Sequence, residues 1–407
     1  MSKTTTITSN KSGFLAKIKS KYILKEIFDN LSKNRMLKII NYNKTLQKRL
    51  NKNLYNYIDE YYKMEIEIIP SKNEYGKFIC IPKRYESFYH IYFNDSKKDT
   101  KIKTIKEGHN ISKINVILDY KIKSLTKIFK SCGCIQRITF SKFKREDITD
   151  MSYWFKGCFS LEELDLSNLI TKNVTTMSYM FYDCRSLNKI SFSNFNTSKV
   201  KNMSYMFSYC KSFEKLNLNN FDTRNVTNMN NMFSYCSSLK ELNISNFNTD
   251  NINFMIKVFI GCSSLEELNL CNFNTANVIS MHGMFSNCKS LIKLNVSSFN
   301  TNNVTNMSFM FEKCFSLKEL NLSNFNTRNV ISIRGMFSNC KSLEKLNLSN
   351  FNNNRETIMD DLFEKCTSLK ELICSNEFIR EKYDNRNNKN SQRYFLKFEY
   401  LLHYNFK

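Results

Sequence analysis

With only 8 Gly and 2 Pro among 407 residues, the chain nearly lacks the two residues that most often punctuate turns. Its turns must be made by Asn, Ser, Thr and Asp, whose short side chains bond to nearby backbone groups. The sequence has no phosphate-cradling glycine loop, no Gly-x-Ser-x-Gly elbow and no EF-hand loop. Histidine is almost as scarce: His90, His109, His282 and His403 are dispersed, and only His282 falls inside the repeats described below, where a solvated side chain is expected. Cys132-Gly-Cys134, and Cys271 with Cys288, lack a neighbouring His or Cys-x-x-Cys unit, so no zinc site is assigned. No catalytic residue, metal or cofactor is expected, and the chain reads as non-enzymatic. A run of about 18 apolar residues is absent, and Met1–Leu15 contains no signal-peptide core. The expected location is cytoplasmic, with the cell surface, reached without a signal peptide, as the alternative.

What is abundant is periodic. Phenylalanine recurs at one unvarying interval, at Phe129, Phe155, Phe181, Phe207, Phe233, Phe259, Phe285, Phe311, Phe337 and Phe363. A cysteine follows each one at the third position after it, from Cys132 to Cys366. A fixed period of this size is the signature of a solenoid, whose units bury their apolar faces only against their neighbours. The cysteines in register are read as reduced, buried thiols, because parallel side chains on neighbouring rungs make poor disulfides.

Within one unit, Val304, Met307, Met310, Phe311, Cys314 and Leu317 follow spacings of three and four. That half is helical or made of successive 3₁₀ turns. The spacing then falls to two from Leu320 to Leu322, which predicts a short strand. The expected fold is therefore α/β, a solenoid of about ten 26-residue units with a stacked parallel sheet. Phe181, Phe207, Phe233, Phe259, Phe285, Phe311 and Phe337 form its structural ladder.

The rung pattern Cys-x-Ser-Leu-x-x-Leu-x-Leu-x-x-Phe-Asn-Thr, followed by Val-x-x-Met-x-x-Met-Phe, resembles the bacterial surface protein A-like leucine-rich repeat family. The resemblance implies a curved, non-enzymatic solenoid that binds proteins and is commonly surface-exposed. Upstream, Tyr22 to Leu31 and Leu37 to Leu46 loosely resemble an F-box, a helical module that docks a ubiquitin-ligase scaffold, although the usual Leu-Pro start and the tryptophan near the end are missing.

The expected organisation is a basic tail at 1–19, a helical F-box-like or capping segment at 20–66, a β-rich connector at 67–121, the solenoid at 122–380 and a cap at 381–407. Ile66 to Ile69, Phe78 to Ile81, Phe88 to Phe93 and Ile114 to Tyr120 are the candidate strands of this region, the last feeding the first rung.

The net charge is +24. No nucleic-acid-binding motif is present, nor a basic stripe interleaved with aromatics in the linear sequence, so the expected partner is a protein. The outward strand positions supply the candidate partner surface. One column reads Glu163, Lys189, Lys215, Glu241, Glu267, Lys293, Glu319 and Lys345. Its alternating signs also suit a purely structural charge ladder. The adjoining column, Asn217, Asn243, Asn269, Asn295, Asn321 and Asn347, is expected to hydrogen-bond along the stack. The chain should be monomeric unless an end of the solenoid is uncapped.

Overall fold

A computed structural model describes residues 18–30, 44–50, 58–59, 61–122 and 125–387. Of the F-box-like stretch it includes two short helices, α1 (Lys21–Asp29) and α2 (Lys44–Leu50), each with one buried leucine, Leu24 and Leu46. The tail at 1–17 and the aromatic segment from Tyr394 to Tyr404 lie outside the described residues.

The strands are β1 (Met64–Pro70), β2 (Gly76–Lys77), β3 (Tyr89–Phe93), β4 (Thr104–Ile105), β5 (Ile114–Leu118) and β6 (Ile135–Lys142), followed by nine three-residue strands, β7 (Glu163–Asp165) to β15 (Glu371–Ile373). Met64, Ile66 and Ile68 point inward from β1 while the glutamates between them face out, the alternation a half-buried strand requires. β1 runs through the expected boundary at 66/67. Phe78 to Ile81 is not a strand, because its amides serve two different segments: Phe78 N–H goes to Lys103 O at 3.1 Å and Cys80 N–H to Ile128 O at 2.7 Å.

β6 joins the two parts of the molecule. It pairs antiparallel with β1 on one side and parallel with β7 on the other, so the order β3-β5-β1-β6-β7-β8 carries the amino-terminal sheet into the solenoid. The first coil of the solenoid is thereby covered by a sheet instead of ending on an open edge.

Each coil then repeats the same three features. A short strand forms one face. A single parallel bridge forms a second, running Asp150, Thr176, Asn202, Asn228, Phe254, Ser280, Asn306, Ser332 and Ile358. Between them lies the apolar half, and of its two expected forms the structure takes the turn. Met180, Tyr182 and Cys184 donate to the carbonyls of Met177, Tyr179 and Phe181, while Tyr179, Phe181 and Asp183 donate to carbonyls of the next coil at 2.8–2.9 Å. α-Helix among the described residues is confined to the two ends of the chain.

Alternation of this kind needs two left-handed residues per coil. One column with positive φ runs from Lys127 through Tyr153, Tyr179, Tyr205, Asn231, Lys257, Gly283, Phe309 and Gly335 to Asp361, and a second from Ser131 to Lys365. Most of these residues are not glycine, so the scarcity of Gly leaves strain in almost every coil. Asn287 (φ 62) tolerates this conformation well. Its replacement by Val is expected to cost about 1–2 kcal/mol, and replacement by Gly far less. Urea denaturation of the two variants checks this, since equal loss would mean that the left-handed backbone does not matter.

The ten phenylalanine rings form one unbroken stack from Phe129 to Phe363. Successive centroids are 5.3–5.9 Å apart with planes within 20° of parallel. These separations exceed the roughly 4.8 Å between neighbouring strands, so the rings are offset, the arrangement that the ring quadrupole favours. Helix α3 (Glu377–Asp384) closes the far end, starting inside the range expected to be solenoid. Asn376 caps it by accepting from Ile379 N–H at 3.1 Å, and Tyr383 sets its ring edge-on against Phe363 at 6.0 Å.

The cysteine column does more than fill space. From Cys158 to Cys366, each thiol donates to the carbonyl of the ladder phenylalanine of the preceding coil at 2.9–3.2 Å. A threonine column adds a second tie: Thr275 Oγ1 donates to Asn300 O and accepts from Asn300 N–H, both at 2.8 Å, as a strand residue would.

Candidate protein-interaction surface

On the strand face the charged column pairs along the stack. Glu163 meets Arg137 at 2.8 Å and Lys189 at 3.2 Å, Lys215 meets Glu241 at 2.6 Å, Lys293 meets Glu267, and Lys345 meets Glu319 at 3.6 Å. The sheet is interrupted at both like-charge steps, Lys189 to Lys215 and Glu241 to Glu267, where adjacent like charges disfavour pairing. A third interruption, between Lys293 and Glu319, has no such explanation. These charges are largely consumed by one another.

The asparagine column departs from expectation. Asn217, Asn243, Asn269, Asn295, Asn321 and Asn347 each turn the side-chain oxygen onto the backbone N–H of the second residue after it, at 3.0–3.2 Å. They close local Asx turns instead of bridging coils, because the strand ends there and the next amide would otherwise lack an acceptor. Bridging falls to a different column: Asn194, Asn220, Asn246 and Asn350 donate to carbonyls of the preceding coil. Both proposed strand columns are thus occupied with holding the coil together.

The turn edge of the first coils is different. Tyr153, Tyr179 and Tyr205 share the first left-handed column and stack at 5.0 and 4.5 Å with planes within 8°. Tyr209 and Tyr235 stack beside them at 4.8 Å, and Tyr182 bridges the two rows. Lys156 Nζ lies 5.5, 4.9 and 4.5 Å from the rings of Tyr153, Tyr179 and Tyr182, while Lys127 and Lys130 lie 5.6 and 5.9 Å from that of Tyr153. Folding therefore assembles the basic, aromatic stripe that the linear sequence does not show. Among the described residues none of these three lysines has a carboxylate partner, and nearby Asp183 is held by both arms of Arg185 at 2.7 and 3.2 Å.

Burial, then neighbouring Lys130, lowers the pKa of Lys156. Burial and the adjacent tyrosines push Tyr179 up to about 12. Further along, the column of Tyr153 ends at Asp361 and that of Lys130, Lys156 and Tyr182 at Glu364. The signal for this edge was present as tyrosines one repeat apart at Tyr153, Tyr179 and Tyr205. His282 is half-buried rather than solvated, edge-on to Phe309 at 5.9 Å, and burial lowers its pKa. No group of three or more metal-ligating side chains comes together among the described residues.

The repeated strand, the phenylalanine stack and the coil-to-coil hydrogen bonds define a leucine-rich repeat solenoid. The chain belongs to the family described as Mycoplasma protein of unknown function, DUF285, whose model matches residues 123–217, 214–294 and 291–399. Among solved structures it is similar to a leucine-rich cell surface protein of Faecalibacterium prausnitzii, at 16% identity over 63% of this chain and 76% of that one, with a TM-score of 0.33. It is also similar to a leucine-rich repeat protein of Leptospira interrogans, at 16% identity over 54% and 62%, TM-score 0.23. A third is a leucine-rich repeat protein of Eubacterium ventriosum, at 14% identity over 58% and 80%, TM-score 0.22. Comparison with curated proteins returned no match.

Proposed function

We propose that the chain is a non-enzymatic scaffold of the bacterial surface protein A-like type, acting in the cytoplasm, and that its lysine- and tyrosine-lined edge takes an acidic segment of a protein partner. The observation that carries this reading is the cluster of Lys127, Lys130 and Lys156, three ammonium groups with no carboxylate partner among the described residues, beside a row of tyrosines. Stacking platforms for single-stranded nucleic acid need open ring faces. In the Tyr153, Tyr179 and Tyr205 stack both faces of Tyr179 and one face of each outer ring are taken by a neighbouring ring, with Lys156 beside them, which favours carboxylates over bases. The ubiquitin-ligase adaptor reading rests on residues 20–50, of which the two short helices α1 and α2 are described.

The test is binding of a fluorescent polyglutamate peptide and of oligothymidylate to the full chain, measured by anisotropy. Changing Lys127, Lys130 and Lys156 to Gln is expected to weaken polyglutamate binding about tenfold or more, at roughly 0.5–1 kcal/mol per ion pair. The same change at exposed Lys201, Lys318 and Lys370 should have little effect. Equal loss in both variants, or tighter binding of oligothymidylate through the same three lysines, would overturn the proposal.

A further inference from the structure

The cysteine column has an unmatched beginning. Every thiol of the column from Cys158 to Cys366 reaches back to a phenylalanine carbonyl of the coil before it, but Cys132 belongs to the first coil and has none. The place of that missing coil is taken by Cys80, from the amino-terminal unit. The two sulfurs are 4.0 Å apart, and both thiols converge on Lys130 O, Cys80 at 3.3 Å and Cys132 at 3.8 Å. Cys80 is partly exposed while Cys132 is buried. We propose that Cys80 and Cys132 form a peroxide-reactive pair, in which Cys80 is oxidised first and Cys132 resolves it to a disulfide that ties the amino-terminal unit to the first coil.

The surroundings suit those roles. The pKa of Cys80 is lowered, first by its hydrogen bond with Cys132 and then, against burial, by Lys77, Lys103 and Lys130. Cys132 is raised by the same hydrogen bond and by burial, so it holds its proton. A thiolate is the nucleophile in such chemistry, and an exposed one next to a resolving thiol is the arrangement that redox-sensing cysteines use.

In the first step the Cys80 thiolate attacks one oxygen of a hydroperoxide. The sulfur–oxygen bond forms, the oxygen–oxygen bond breaks, and the departing hydroxide is protonated to water when the oxidant is hydrogen peroxide. In the second, Cys132 sulfur attacks the Cys80 sulfenic acid; the sulfur–sulfur bond forms, and the hydroxyl leaves with the Cys132 proton as water. Two thiols and one hydrogen peroxide become one disulfide and two waters. The sulfurs must close from 4.0 Å to about 2.05 Å. The movement falls to the segment from Phe78 to Ile81, which belongs to no strand.

The experiment treats the folded full-length chain with one equivalent of hydrogen peroxide, alkylates the remaining thiols in denaturant and maps the peptides without reduction. The expected product is a single reducible link between the peptides of Cys80 and Cys132. Cys271, an exposed thiol outside the column, and Cys158 to Cys366 should remain alkylated. A Cys80→Ser variant should lose the link and leave Cys132 as a thiol. In Cys132→Ser, dimedone should trap the sulfenic acid on Cys80, and the wild-type map decides the matter should that variant not fold. Oxidation of Cys271 ahead of Cys80, a Cys80 that stays reduced, or a Cys80 driven to sulfinic acid while Cys132 remains a thiol would each overturn the proposal.

Discussion

Raising the pH from 8 to 10 is expected to unfold the solenoid cooperatively. Nine buried thiols, Cys158 to Cys366, are raised above their ordinary value of 9.0 by loss of solvent, with Cys236, Cys288 and Cys366 at about 12. The sign follows from proton counting. Below pH 9 both states hold these protons and the column's contribution is intact. Above pH 9 the unfolded chain releases them while the folded chain does not, so stability falls with rising pH until the folded thiols themselves ionise. Each thiol loses about 1.4 kcal/mol per pH unit past its unfolded value, so the nine together forfeit roughly 13 kcal/mol by pH 10. That is comparable to the whole stability of an ordinary domain. Circular dichroism during an alkaline titration gives the result directly. Replacing Cys210, Cys236 and Cys262 with Ala should lower stability at neutral pH yet make it less steep in pH. A stability that stays level through pH 10 would show that the thiols are not sealed from solvent.

The second large effect is expected at the centre of the ring stack. Phe233 is 1% exposed and lies between Phe207 at 5.9 Å and Phe259 at 5.7 Å. Its replacement by Ala removes both stacking contacts and leaves a hole that hydrogen-bonded coils on either side cannot close. The cost should be about 3–5 kcal/mol, the range for deleting a buried aromatic ring. Because a solenoid's stability resides in its neighbouring interfaces, the damage should split the array, with coils flanking position 233 exchanging amide hydrogens faster than those near β6 or α3. Thermal melts and hydrogen exchange read the two parts of this expectation.

The period carried much of the fold, and its limits have physical causes. Phe129 to Phe363 and Cys132 to Cys366 were legible because a stacked coil places one residue type at one position repeatedly. The strand read around Leu320 to Leu322 is observed as Glu319–Asn321. The apolar half was ambiguous because Val304, Met307 and Met310 fit a helix and a chain of tight turns equally; the left-handed backbone at Phe309 and Lys313 decides for turns. The asparagines were misplaced for a related reason. An amide beside a strand can bond along the stack or within its own turn, and residue type does not separate the two: Asn321 turns inward while Asn324 reaches the coil before it. The tyrosine edge needed knowledge of which columns face outward. The thiol bonds and the threonine ties needed the distance between coils.

Insertion of one additional copy of residues 223–248 between positions 248 and 249 tests the central claim most directly, because a stack of matching coils can lengthen only by a whole repeat. Thermal denaturation should show that the lengthened chain stays folded and melts at or above the temperature of the parent, since the extra coil brings its own ring, thiol and threonine into register. A chain given only the first half of that copy, residues 223–235, should melt far lower. Loss of folding with the full unit, or equal tolerance of the half unit, would contradict a chain built from stacked coils of that length.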